Sequence, residues 1–183
     1  MTCLDVCFAN YSGLHADVIV GALVAGDALG GGFECALSGD FIVAESPARF
    51  GLPEILYGLF PGMGAYSFLS RRIGQAKAEA LILEGRLYSA SEIHELGLIE
   101  LVAAPGQGRL EMERHLLKLS KRFDAVLSVY HAKRRTAPIS YREMTDIVED
   151  WVATGAGLSS RSLRKMRKLA IAQDARRDRS RSA

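Results

Sequence analysis

Residues 26 to 45, GDALGGGFECALSGDFIVAE, set three consecutive glycines between two apolar runs. Glycine reaches backbone conformations closed to other residues, so Gly30, Gly31 and Gly32 predict a tight turn. The β-branched run DVIVGALVAG at 17–26 predicts a buried strand before that turn. FECALS, ended by Gly39, predicts a short buried helix after it, and FIVAE at 41–45 the next strand. Strand, glycine turn, buried helix and strand form a compact unit of an α/β fold.

Two carboxylates stand out against this apolar background. Glu34 is the only charged residue between Asp27 and Asp40, and Glu54 the only one between Arg49 and Arg71. A P-loop starting at Gly26 requires Lys and Ser or Thr where Gly32 and Phe33 stand. A dinucleotide fingerprint starting at Gly30 requires glycine or alanine where Cys35 stands. What remains is a glycine turn that bares backbone N–H groups at a helix start, able to stabilise a developing oxyanion. A carboxylate without cations in an apolar setting has a raised pKa, and two facing one substrate titrate as a pair, one protonated and one not. Such a pair serves as general acid and base; the alternative is that each glutamate only accepts hydrogen bonds from the backbone.

The 183 residues, 49% of them apolar, suit one domain with a sizeable core. No apolar run is long enough to span a membrane, and the first residues lack the pattern of a secretory signal, so a cytoplasmic location is expected. Cys3, Cys7 and Cys35 are odd in number, which argues against a disulfide framework, and nothing near Cys3 and Cys7 completes a metal-ligand set. Net charge is only +2, yet from Arg161 onward nine Lys or Arg face two Asp. Such a tail could bind nucleic acid, an acidic carrier protein or phosphate; a solvated helix ending in a frayed tail is the preferred reading, with no nucleic acid and no membrane as partner.

Further along, GQAKAEALILEG predicts a helix ended by Gly85, and SASEIHELG a helix with Ser89 and Glu92 in capping-box spacing, stopped by Gly97. LIELV at 98–102 predicts a strand. Beyond the APGQG loop, Met112, Leu116, Leu119, Phe123, Val126 and Tyr130 recur at helical spacing. Two more helices are expected around 140–154 and 158–175. The chain thus divides into a core with the motifs, 1–108, and a C-terminal helical region with a basic tail, 109–183.

ALGGGFECALSGDFIVAESPARFGLPEILYGLFPGMGA resembles the signature of the crotonase, or enoyl-CoA hydratase/isomerase, superfamily, including the twenty-residue step between its two glutamates. GDALGGGFE, FGLPEILYGLFPGMGAYSFLSRRI and GRLYSASEIHELGLIE look most like its diffusible-signal-factor synthase branch. The resemblance implies a crotonase-like ββα spiral core followed by C-terminal helices. It implies Gly31 as an oxyanion N–H donor and Glu34 and Glu54 as the catalytic pair. Gly30, Gly32, Pro61, Gly62, Met63, Trp151 and Leu169 would line the substrate site, the last three as walls of an acyl pocket or as ordinary core.

No separate cofactor is implied, because acyl carrier protein or CoA arrives with the substrate. The implied reaction of that branch takes a 3-hydroxyacyl carrier-protein thioester to a cis-2-unsaturated fatty acid by dehydration and thioester cleavage. The alternative within the superfamily is an enoyl-CoA hydratase or isomerase acting on CoA esters. Trimers or hexamers and a sensor kinase are the implied protein partners. Only thirty residues precede Gly31, so the resemblance also implies an N-terminally truncated core lacking several strands and the second oxyanion donor. An inactive remnant that binds homologous subunits is the reading from a different class, and an exposed apolar edge at 18–25 is expected to promote association.

Overall fold

The computed structural model describes residues 2–168 and 171. Helix α1, Cys3–Tyr11, opens with a capping box in which the Thr2 hydroxyl accepts from Asp5 N and the Asp5 carboxylate accepts from Thr2 N. This reciprocal pair satisfies donors at the helix start that have no intrahelical acceptor. The element was not anticipated from the sequence.

Strand β1 covers Gly21–Val24, β2 Ala28–Leu29 and helix α2 Gly31–Ser38; β3, Phe41–Glu45, and β4, Arg49–Gly51, follow. The expected strand over 17–26 is therefore shorter, and β2 lies beyond it. Val20 accepts from Asp40 N and donates to the Asp40 carboxylate, so the segment before Gly21 is pinned to one side chain rather than to a ladder. Past Val24 the chain turns and β2 joins a different sheet.

Helices α3, Ala65–Ile73, and α4, Gln75–Glu84, pack on the core, and β5, Tyr88–Ser89, leads into α5, Ala90–Glu95. The Ser89 and Glu92 capping box is present, and Gly85 ends α4 in a left-handed conformation. Strand β6, Leu101–Ala103, begins later than the expected 98–102. Leu98 and Ile99 are buried in the turn before it, where Leu98 N donates to Ile93 O.

One sheet has the order β1-β3-β6, all parallel; the other has the order β2-β4-β5, with β4 and β5 antiparallel. Between them lies α2, whose Phe33 meets Phe50 of β4 edge to face at 5.2 Å. Both rings are fully buried. Each such side chain contributes about 1.5–3 kcal/mol relative to an exposed one.

The C-terminal region forms α6, Gly108–Ser120, α7, Phe123–Thr136, and α8, Tyr141–Ala156, with residues 160–168 helical beyond them. The apolar periodicity from Met112 to Tyr130 is thus split between α6 and α7, and its members are half-buried or exposed rather than core. The tie between α7 and the core is ionic: Asp40, only 2% exposed at its side chain, pairs with Arg134 at 2.7 Å and Lys133 at 3.5 Å. Helix α8 is held by Glu143, which accepts from Ser67 and Arg71 of α3. The residues after 168 that belong to the expected last helix and basic tail, Ile171 apart, lie outside the described residues.

Candidate active site

The turn before α2 does what three glycines permit. Gly30 has φ +54°, a left-handed conformation, and its N–H donates to Gly51 O of β4. Its carbonyl accepts from Phe33 and Glu34, which starts the helix. The N–H of Gly31 falls in the first helical turn, where no intrahelical acceptor exists and the helix end is partly positive. A side chain at Gly30 would run into the Glu54 carboxylate, so this glycine lets Glu54 approach the turn.

Glu34 is 2% exposed. Its Oε1 accepts from Met63 N at 2.7 Å and Ala65 N at 3.1 Å. Those donors converge because Gly64, at φ +107°, turns the chain into α3. Burial pushes the Glu34 carboxyl up to about 7, against the pull of the Ala65 N–H and with added repulsion from Glu54. Glu54 stands on a short 3-10 turn, Pro53–Tyr57, opened by Pro53. Its Oε2 is buried without a hydrogen-bond partner among the described residues. Burial raises its pKa too, opposed by its own backbone N–H.

Apolar groups pack against the glycines on either side of this pair in sequence. The Met63 methyl would lie 2.5 Å from a Cβ placed on Gly31, so the thioether covers the turn. The Trp151 ring of α8 stands equally close, 2.5 Å, to a Cβ placed on Gly62. Pro61 and Gly62 are buried, while Trp151 remains 36% exposed. Gly32 does not join the group: it is exposed and faces open space. Leu169 lies outside the described residues. Among the described residues no cluster of His, Cys, Asp and Glu has the makings of a metal site, and no helix is long and apolar enough to cross a membrane.

Sequence reasoning placed the two glutamates but missed what holds Glu34. The backbone N–H groups of Met63 and Ala65 leave no trace in residue type; the alternating glycines of PGMGA are the available sign that a turn there brings amides inward. The reading of Glu34 as a plain acceptor of backbone hydrogen bonds is also met in part, since it accepts two. Two amide donors offset the burial of the charged form only partly, and the carboxyl still titrates near neutrality.

The family model for enoyl-CoA hydratase/isomerase matches residues 10–146, a span that contains the turn, both glutamates and Trp151's helix start. The chain belongs to the enoyl-CoA hydratase/isomerase family. It is 51% identical over 84 residues, 46% of the chain, to a protein of Rhizobium meliloti (strain 1021) named probable enoyl-CoA hydratase. It is 39% identical over 99 residues, 54% of the chain, to a mevalonyl-coenzyme A hydratase of Beauveria bassiana. Those matches cover 33% and 35% of the two relatives, so the chain spans about a third of the length of each. Among solved structures, an enoyl-CoA hydratase of Bacillus halodurans is 27% identical with a TM-score of 0.66, over 82% of this chain and 62% of that one. A carnitinyl-CoA dehydratase of Mycobacterium avium 104 is 31% identical with a TM-score of 0.54, over 84% and 57%. The mixed α/β architecture is that of the crotonase fold.

Proposed function

We propose that this chain adds water to, or removes it from, an acyl thioester, with Glu34 and Glu54 as the acid and base pair. The single observation that carries this reading is the pair of carboxylates beside the Gly31 turn, Glu34 buried and Glu54 half-buried, each with a raised pKa and, among the described residues, one buried oxygen of Glu54 left without a partner. The thioester carbonyl accepts from Gly31 N–H, which draws charge onto its oxygen and makes the neighbouring carbon easier to protonate or deprotonate. For hydration, the ionised glutamate takes a proton from water as its oxygen attacks C3, and the protonated glutamate delivers a proton to C2. Dehydration is the reverse: the ionised glutamate takes the C2 proton, and the protonated one gives its proton to the hydroxyl leaving C3 as water.

Enoyl-CoA hydratase relatives support a CoA ester as substrate, the reading given first as the alternative to a carrier-protein thioester. The finer assignment, dehydration plus thioester cleavage in the manner of a diffusible-signal-factor synthase, rests on the resemblance of GDALGGGFE, FGLPEILYGLFPGMGAYSFLSRRI and GRLYSASEIHELGLIE to that branch. Matched 3-hydroxyacyl thioesters of CoA and of acyl carrier protein, followed side by side by mass spectrometry, decide between them. Enoyl-CoA formation without free acid supports hydratase chemistry; preference for the carrier protein with release of free acid supports the synthase. Turnover of neither by folded protein would leave the remnant reading standing.

A further inference from the structure

Helix α8 lies along the segment that joins Glu54 to the amides holding Glu34. A Cβ placed on Gly64 would meet the Met144 methyl at 2.9 Å, and one placed on Gly62 the Trp151 ring at 2.5 Å. Further along, a Leu59 methyl stands 3.9 Å from a Cβ placed on Gly155, and a Leu158 methyl 3.6 Å from one placed on Gly58. Met144, Trp151, Gly155 and Leu158 are spaced seven, four and three apart, one stripe of a helix, and the segment they meet runs the other way, from Gly64 back to Gly58. At the head of the stripe Met144 is fully buried, and its methyl shares Gly64 with the Phe68 ring, which lies 2.8 Å from the same Cβ position. Gly64 is the residue between the two amides that hold Glu34, Met63 N at 2.7 Å and Ala65 N at 3.1 Å from Oε1. A glycine at φ +107° imposes no conformation of its own, so what packs on it decides whether both amides point to one oxygen.

We propose that Met144 is a positioning residue for Glu34: its methyl group, with the Phe68 ring, holds the Gly64 turn so that both flanking amides converge on one carboxylate oxygen. Its bearing on turnover rests on the function proposed above, whereas its bearing on Glu34 does not. Phe68 belongs to α3, the helix that this turn opens, and its N–H donates to Gly64 O, so it moves with the turn. Met144 approaches from eighty residues away in sequence and is the support from outside. Empty space in its place would give Gly64 back its freedom. Donors lost from the charged form of Glu34 make that form less favourable, so its pKa rises beyond about 7. The titratable groups whose charge interacts with Glu34 are Glu54 and the Cys7 thiol of α1; burial pushes the thiol up to about 12, so it is uncharged near neutrality, and neither group lies on α8.

The test follows the Glu34 carboxyl by NMR in the 183-residue chain made with glutamate labelled at its side-chain carboxyl, the signal being identified by its loss in Glu34→Gln. In the wild-type chain it is expected to titrate near about 7, and in Met144→Ala at a pH higher by at least about 0.5. Met144→Leu, which refills most of the space, restores the wild-type midpoint. Leu127→Ala, a cavity at a buried position of α7, lowers stability but leaves the midpoint unmoved, which separates positioning from loss of packing alone. Met144→Val removes less and shifts the midpoint in the same direction, so the test stands if the alanine form does not fold. A folded Met144→Ala or Met144→Val chain with the wild-type midpoint, or an equal shift in Leu127→Ala, overturns the proposal. With a 2-enoyl-CoA the pH profile of turnover moves with the NMR midpoint; a moved midpoint in a chain without turnover would count against the proposed function and leave the role of Met144 standing.

Discussion

Glu34 holds its proton in the folded chain to about 7, while in an unfolded chain it would lose it near 4.5. Between those values the native state binds more protons than the unfolded one, so stability falls as pH rises through this window and levels off above it. The span corresponds to a loss on the order of 3 kcal/mol for a group so deeply buried. Glu34→Gln keeps an oxygen for the Met63 and Ala65 amides but cannot ionise. Urea unfolding at pH 5 and pH 8 is expected to show a wild-type decline that the variant lacks, leaving the variant the more stable form at pH 8; equal pH dependence would show that Glu34 is not desolvated. The same substitution is expected to lower turnover by at least about 10²-fold, the usual loss when a positioned acid or base is removed.

At the scale of elements, Gly62 and Asp40 make contacts that reach across the chain. A methyl group at Gly62 meets the rigid Trp151 ring at 2.5 Å, so Gly62→Ala pushes α8 away at a cost of about 1–3 kcal/mol. Trp151→Ala in the same chain is expected to recover part of that loss, a coupling visible in a double-mutant cycle of denaturation midpoints; strict additivity would mean the ring does not sit there. Asp40→Ala leaves Arg134, 12% exposed at its side chain, without its carboxylate, and a loss of about 3–5 kcal/mol is expected in the same measurement.

The contrast between these contacts and the glycine turn shows what the sequence could convey. The Gly30 turn, α2, β3 and the two isolated glutamates were legible because residue type itself dictates them: φ is positive at Gly30, and a charge stands alone among apolar neighbours. The late start of the first strand was not, because the Asp40 carboxylate that captures Val20 N is twenty residues away in sequence. The amides that grip Glu34 and the Asn10–Ser38 hydrogen bond between α1 and α2 were hidden for the same reason: pairing across elements is set by packing, which local composition does not encode.

For the whole molecule, β1 is an edge. Among the described residues it pairs with β3 alone, and Leu23 is 41% exposed. Beside it Val18, Ile19, Leu116, Leu119 and Phe123 line a groove of about 360 Å³. A parallel strand with one open edge and apolar flanks favours association. Light scattering of the purified chain is expected to show mass rising with concentration, reduced by Leu23→Lys; a monomer at all concentrations would contradict this.

Under the proposed function, Glu34 and Glu54 together exchange water on an acyl thioester. The most direct measurement incubates the folded 183-residue chain and its Glu34→Gln and Glu54→Gln forms with a short-chain 2-enoyl-CoA and quantifies 3-hydroxyacyl-CoA by mass spectrometry. The account predicts product from the wild-type chain and at least about 10²-fold less from each variant. Equal product from all three, or none from the folded wild-type chain, would contradict it.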